Sequence, residues 1–107
     1  MNQNDDCPIT TTLEVIGGKW KVHILCVLTD GKMRTNEIKR EIPNITQKVL
    51  TQQLRQLEAD GIIHRTVYQE VPPKVEYTIS EHGKSLMQIM NELLEWGKDH
   101  QIKKLND

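Results

Sequence analysis

The chain has no phenylalanine, only two cysteines, few aromatic residues and no long apolar run. Aromatic residues are 4% and hydrophobic residues 36% of its 107 residues, so any core must be small and mostly aliphatic. A membrane-spanning helix needs about 20 apolar residues, and the N-terminal letters MNQNDDCP lack the cationic and apolar parts of an export signal. We therefore expect one cytoplasmic domain over residues 1–107, with no membrane partner and with residues 1–6 as a polar tail.

Patterns typical of metal sites and of catalysis are also missing. Cys7, Cys26 and the four histidines form no CxxC or HxxxH spacing, and no nucleophile comes with a recognisable base. Residues 17–19, Gly-Gly-Lys, lack the GxxxxGK[ST] pattern of a phosphate loop and are interpreted as a helix break. We expect no metal, no cofactor and no enzymatic activity. In the cytoplasm both cysteines should be thiols, with Cys26 in ILCVL buried as a small apolar residue.

The charge of the chain is balanced overall but unevenly distributed. The net charge is −1 and the isoelectric point is about 6.4, which excludes a globally basic nucleic-acid-binding protein. Residues 32–55 nevertheless carry +4, so the remainder carries −5. The basic residues of this segment are Lys32, Arg34, Lys39, Arg40, Lys48 and Arg55. A local cationic face of this kind is an electrostatic footprint for an anionic partner.

The spacing of apolar residues predicts four short helices, a two-stranded hairpin and a long final helix. The predicted helices begin near Pro8, Lys19, Thr35 or Asn36, Thr46 and Ser80. Alternating residues in 62–68 and 74–80 predict the two strands, joined by QEVPP. The turn PNIT separates the third helix from the fourth. This order predicts a mainly α protein with a small β-hairpin, a winged helix-turn-helix with a long terminal helix.

The fourth helix, TQKVLTQQLRQLEADG, has one apolar face and one face without acidic residues until Glu58. Glutamine can bond adenine, arginine or lysine can reach guanine, and threonine can contact the thymine methyl group, whereas carboxylates would be repelled by phosphate. The candidate residues for double-stranded DNA are Thr46, Gln47, Lys48, Thr51, Gln52 and Arg55. Two alternatives stay open: a solvated face that happens to lack acids, and a winged-helix module that binds only other proteins.

Four further basic residues could lie nearer the DNA backbone: Arg34, Lys39, Arg40 and Lys74. Lys74 follows Val71-Pro72-Pro73 at the tip of the predicted hairpin, the part of a winged domain that can approach DNA. Glu70 and Glu76 lie close to it in sequence, so a solvated surface lysine is the alternative interpretation.

Cys7 precedes Pro8 and is expected to cap the first helix. A helix N-terminus stabilises a thiolate and makes the cysteine more reactive, while the neighbouring Asp5 and Asp6 oppose that effect. Cys7 is therefore a candidate redox sensor, and a capping residue with no redox role is the alternative.

The final helix carries apolar residues over more than a third of its circumference, namely Leu86, Ile89, Met90, Leu93, Leu94 and Trp96. One side can pack on the domain while another faces a second copy of the chain; the alternative places the whole set in one core. Because the domain is small, we expect a homodimer, which would present two DNA-reading helices about one DNA turn apart.

With these elements in place, three stretches of the chain resemble one family. CPITTTLEVIGGKWKVHIL, LTQQLRQLEADGIIHRTVY and VPPKVEYTISEHGKSLMQIMNELLEWG are similar, in this order, to the HxlR-type winged helix-turn-helix transcriptional regulators, relatives of the MarR group. The resemblance runs from Cys7 to Gly97 and implies a homodimeric DNA-binding regulator, usually a repressor and sometimes an activator, with dimer contacts from the first and last helices. It also implies a candidate signal, because several members sense electrophiles or oxidants through a cysteine at the position of Cys7. One departure is KMRTNEI, where the family commonly has an aromatic residue near Thr35.

Overall fold

The computed structural model describes residues 7–106, so the predicted polar tail and Asp5 and Asp6 lie outside the described residues. Within this range the chain forms five α-helices, a 3-10 turn at Leu28–Asp30 and three β-strands. In chain order the elements are α1 (Pro8–Ile16), α2 (Lys21–Val27), β1 (Met33–Arg34), α3 (Thr35–Glu41), α4 (Gln47–Ala59), β2 (Ile63–Tyr68), β3 (Lys74–Ile79) and α5 (Glu81–Asn106). This order confirms the winged helix-turn-helix architecture.

Local capping signals explain where α1 and α4 begin and end. Pro8 is the first residue of α1, where its missing N–H costs no hydrogen bond. Thr46 caps α4 by accepting a hydrogen bond from the Val49 N–H to its Oγ1 at 3.1 Å. Gly61 follows α4 with a φ of 74°, a left-handed conformation that glycine adopts without a steric penalty. These ends agree with the predicted boundaries.

The helix-turn-helix is held by a single aliphatic cluster. Its fully buried members include Ile24 and Leu25 of α2, Ile38 of α3, and Leu50 and Leu57 of α4. Burial of each such side chain contributes about 1.5–3 kcal/mol relative to leaving it in water. The cluster fixes one face of α4 inward and leaves the opposite face to solvent.

The sheet has one strand more than the sequence predicts. β3 pairs with β2 along its whole length and also with β1, giving the antiparallel order β1-β3-β2. β1 is only two residues long, Met33 and Arg34, and is too short to show an alternating pattern. Its pairing sets Arg34 directly opposite Glu76 on β3.

The prediction that Cys26 is buried is wrong. Its neighbours Ile24, Leu25 and Leu28 face the core, and Cys26 lies on the other side of α2, where it is exposed. The apolar run ILCVL concealed this, because a short run of apolar letters does not show which residue of an amphipathic helix faces outward.

The apolar residues of α5 divide between the core and the surface. Leu86 and Met90 are buried against the body of the domain, whereas Ile89, Leu93 and Trp96 are exposed. A second, smaller set of exposed apolar side chains lies on α1, which borders α5 along a shared groove. No helix within residues 7–106 is both long enough and apolar enough to cross a bilayer.

The junction between α4, β3 and α5 is tightly packed around Ser80 and Gly83. The Ser80 hydroxyl donates to the carbonyl oxygens of Gly61 and Ile62 at 2.6 and 3.0 Å, and accepts from the Gly83 N–H at 2.9 Å. Gly83 is buried, and a Cβ atom there would collide with the Ile62 carbonyl oxygen and lie 2.9 Å from Ile79 Cγ2. Glycine is therefore required by close approach of the backbone.

We expect Gly83→Ala to destabilise the fold by about 1–3 kcal/mol, because the backbone of Ile62 has to move to admit the methyl group. For a domain of this size that corresponds to a fall in Tm of roughly 5–20 °C by circular dichroism. Gln88→Ala, an exposed substitution on the same helix, should change Tm by a few degrees at most. Equal melting of the two variants would contradict the packing described for Gly83.

Candidate nucleic-acid interface

The outward face of α4 is polar and cationic, as its sequence predicts. Lys48, Gln52 and Arg55 follow one another at i, i+4 and i+7 and are all exposed, so they form a strip along the helix. Gln47 is exposed at the helix start, and Thr51 is half-buried at the edge of the strip. We call these five residues the α4 strip. An α-helix with such a strip has the width and the hydrogen-bonding groups that fit a major groove.

The acidic residue of α4, Glu58, is neutralised within the protein. Its Oε1 lies 3.3 Å from the Arg65 Nε on β2, at the end of the helix farthest from Thr46. An exposed ion pair of this kind contributes about 0–1 kcal/mol to stability, so its main effect is on the local charge. The α4 strip is therefore bordered by a compensated carboxylate rather than by a free one.

The Thr46 end of α4 can also attract an anion. The peptide dipoles of the 13 residues of α4 add along the helix, and its first N–H groups have no carbonyl partner within the helix. The N-terminus of α4 therefore carries a partial positive charge next to the exposed Gln47 and Lys48. This end of the helix strengthens the positive potential of the strip.

The other residues predicted to contact the DNA backbone lie on α3, β1 and β3. Arg40 on α3 is exposed and Lys39 is half-buried, while Arg34 is exposed on β1. The backbone N–H of Arg34 donates to Glu37 Oε1 at 2.8 Å, which stabilises the start of α3. The structure thus brings the predicted basic residues to the helix-turn-helix and to the adjacent sheet.

Lys74 is less free than the sequence indicates. Its Nζ lies 3.8 Å from Glu76 Oε2 and 4.7 Å from the centroid of the Tyr68 ring, and its side chain is 30% exposed. The carboxylate and the ring face hold the ammonium group on the sheet. Lys74 and Glu76 are two residues apart on β3 and therefore share one face of the strand. The second ion pair of Glu76, with Lys32, forms only when the chain before β1 is brought beside β3.

Cys7 is exposed directly before α1. The backbone N–H groups of Ile9 and Thr10 lower the pKa of the Cys7 thiol below its usual value, and a contact with the Thr10 side chain acts in the same direction. Its side chain makes no capping hydrogen bond to α1, so the predicted capping position is confirmed but without that bond. A thiol with a lowered pKa and full access to solvent suits reaction with electrophiles.

An exposed helix of this kind, on a helix-turn-helix flanked by a β-wing, defines the class of winged helix-turn-helix proteins. Residues 15–104 match the family described as HxlR-like helix-turn-helix. The chain belongs to this family, whose members are DNA-binding transcriptional regulators rather than enzymes.

Three similar proteins are a named HTH-type regulator and two proteins of known structure. The chain is 65% identical to YtcD of Bacillus subtilis (strain 168), named an uncharacterized HTH-type transcriptional regulator, over 86% of this chain and 73% of YtcD. It superimposes on the reduced form of the redox regulator HypR with a TM-score of 0.88 and 50% identity, covering 94% of this chain and 99% of HypR. The diamide-treated YodB from B. subtilis gives a TM-score of 0.76 and 37% identity, with 87% and 93% covered.

Proposed function

We propose that this transcriptional regulator is a homodimeric repressor that reads double-stranded DNA with the α4 strip. The observation that carries the proposal is the exposed, acid-free face of α4, whose bordering carboxylate Glu58 is paired with Arg65. In this arrangement Gln47, Gln52 and Arg55 contact base edges, while Lys48 and the Thr46 end of the helix contact phosphate. Arg34, Lys39, Arg40 and Lys74 lie nearer the DNA backbone. Repression follows where the bound dimer occupies a promoter.

The salt dependence of binding tests this proposal against a module that binds only proteins. We expect fluorescence anisotropy with duplex DNA of random sequence to show an affinity that falls steeply between low and moderate salt. Each phosphate that the protein neutralises contributes about −0.9 to the slope of log K against log salt, so four to six such phosphates give a slope of about −4 to −5. Binding that is absent at low salt, or that is insensitive to salt, would exclude the DNA-reading function.

We also propose that an electrophile or oxidant acts on the protein through Cys7. Three observations support this proposal. The Cys7 thiol is exposed and its pKa is lowered. Of two proteins with similar structures, HypR is named a redox regulator, and the structure of YodB was determined after treatment with diamide. A quinone adds to one thiolate and forms a thioether. Diamide removes two electrons from a pair of thiolates and is itself reduced to the hydrazine, so that its action requires a second thiol.

Because Cys26 is exposed as well, a reagent can react with either cysteine, and each has to be replaced separately to identify the sensor. We expect a quinone to weaken DNA binding of the wild type and of Cys26→Ser, but not of Cys7→Ser, as measured by anisotropy after quenching the reagent. Because the thiolate is the reacting form and the pKa of Cys7 is lowered, its reaction rate should rise with pH and level off at a lower pH than that of a cysteine with the ordinary pKa. Equal loss of binding in both variants would remove Cys7 as the sensor.

A further inference from the structure

Glu76 is a largely buried carboxylate in the wing, by which we mean the hairpin of β2 and β3. It lies in the middle of β3, opposite Arg34 of β1 and Thr66 of β2, and its side chain is 13% exposed. Among the described residues its Oε1 is buried without a hydrogen-bond partner. A carboxylate in such a position is costly unless cations compensate its charge.

Two lysines from different parts of the chain provide that compensation. Lys32 Nζ, which precedes β1, lies 3.8 Å from Glu76 Oε1, and Lys74 Nζ lies 3.8 Å from Oε2. Arg34 is the cross-strand neighbour in the β1–β3 register. We call Lys32, Arg34 and Lys74 the wing cations. Both lysine distances exceed hydrogen-bond length, so the attraction is electrostatic and another anion can replace the carboxylate without breaking a directed bond.

The Glu76 carboxylate presents one oxygen to each of two ammonium groups, an arrangement that a DNA phosphate could reproduce. The two lysines differ in accessibility, since the Lys32 side chain is 62% exposed and that of Lys74 is 30% exposed. A phosphate approaching the wing therefore meets cations that already share an anion. Such cations neutralise less phosphate charge, release fewer of the counterions condensed on DNA, and contribute less to binding of arbitrary sequences.

We propose that Glu76 is an internal competitor of DNA phosphates for Lys32 and Lys74. It reduces the attraction of the wing for DNA of any sequence, so that a larger share of the binding free energy comes from the α4 strip. Glu76 acts through the two lysines and is in this sense a specificity-determining residue. The inference rests on the proposed DNA-reading function and adds a device that limits its sequence-independent part.

Glu76→Gln tests this inference because glutamine keeps the shape of the side chain and removes its charge. We expect affinity for a random duplex at low salt to rise about 3–10-fold, and the slope of log K against log salt to become steeper by about one to two. The sequence specificity should fall. It is measured as the affinity for a preferred duplex, obtained by selection, divided by the affinity for a duplex of random sequence. Reduced affinity with an unchanged slope would overturn the proposal and make Glu76 a residue that only positions the lysines.

Two controls separate charge competition from a general change of charge. Glu70→Gln removes the same charge from an exposed residue beside the wing tip and should leave the slope unchanged, since the ion pairs of Lys32 and Lys74 are with Glu76. Lys32→Gln should have a small effect on the slope in the wild type and a larger one in the Glu76→Gln background, a coupling that a double-mutant cycle measures. Additive effects of the two substitutions would contradict the proposal.

The outcomes also distinguish this inference from the proposed function. If the wild type shows no salt-sensitive DNA binding, both the DNA-reading function and the role of Glu76 are excluded. If the wild type binds DNA and its salt slope equals that of Glu76→Gln, only the role of Glu76 is excluded. If Glu76→Gln unfolds, as judged by circular dichroism, Lys32→Gln still decides the matter. It should change the slope by less than about 0.5, and a change near 0.9 would show that Lys32 is not already neutralised.

Discussion

Leu93→Asp is expected to convert a dimer into monomers and to weaken binding to a two-half-site duplex by at least about 100-fold. Leu93 is 52% exposed in the middle of α5, between Ile89 and Trp96 at helical spacing. A carboxylate placed in an apolar interface costs several kcal/mol, and two-fold symmetry introduces it twice. Binding by one half-site then lacks the increase in affinity that a linked second half-site provides.

Leu93 is one of several large apolar side chains that are exposed on α1 and α5. We define the α1–α5 apolar surface by its exposed members Ile9, Leu13, Ile89, Leu93, Leu94 and Trp96. Large exposed apolar patches on soluble proteins mark interaction sites. Because these residues lie on the first and last helices, the patch agrees with the predicted homodimer.

Sedimentation or light scattering at micromolar concentration measures the oligomeric state directly. Val71→Asp is the matched control for it, since Val71 is fully exposed at the wing tip and lies outside the α1–α5 apolar surface. This variant should remain dimeric. A dimeric Leu93→Asp variant, or a monomeric wild type that binds DNA with full affinity, would contradict the proposed assembly.

Gln52→Ala and Arg55→Ala are expected to change which DNA sequences the protein prefers. Both residues are exposed on the α4 strip, where a side chain can donate to base edges in the major groove. Removal of one bidentate hydrogen-bonding pair with a base costs about 1–3 kcal/mol, which is roughly 5–150-fold in affinity for the preferred duplex. Affinity for random duplex should change much less.

Lys39→Ala provides the contrast, because Lys39 lies on α3 and is proposed to contact the backbone. It should weaken binding to preferred and random duplexes by the same factor and reduce the salt slope by about one. Selection of bound fragments from a random pool gives the sequence preference of each of the three variants. Fluorescence anisotropy on the selected duplexes then gives their affinities. If the three substitutions weaken every sequence equally, the division between base-reading and backbone residues is wrong.

Most features that depend on short-range interactions were predicted correctly, whereas the pairing of β1 with β3 and the contact between Lys32 and Glu76 were not predicted. Pro8, Thr46, Gly61 and Ser80 act within a turn or two of the chain, and the element boundaries that they predicted are confirmed. The polar face of α4 was also predicted correctly, because Leu50, Leu54 and Leu57 alone determine which side of the helix is buried. Cys26 was assigned wrongly, since α2 is too short for its apolar letters to define one face.

By itself the sequence determined the order of the five helices and of the two hairpin strands, the outward direction of the α4 strip and the position of Cys7 before α1. These features depend on periodicity and on capping, which act between residues close in the chain. Only the tertiary structure decided that β1 pairs with β3, that Glu76 faces Lys32, and that the apolar residues of α5 divide between core and surface. The reason is physical: a strand of two residues and an ion pair between residues far apart in the chain leave no periodic pattern, and exist only once the chain has folded.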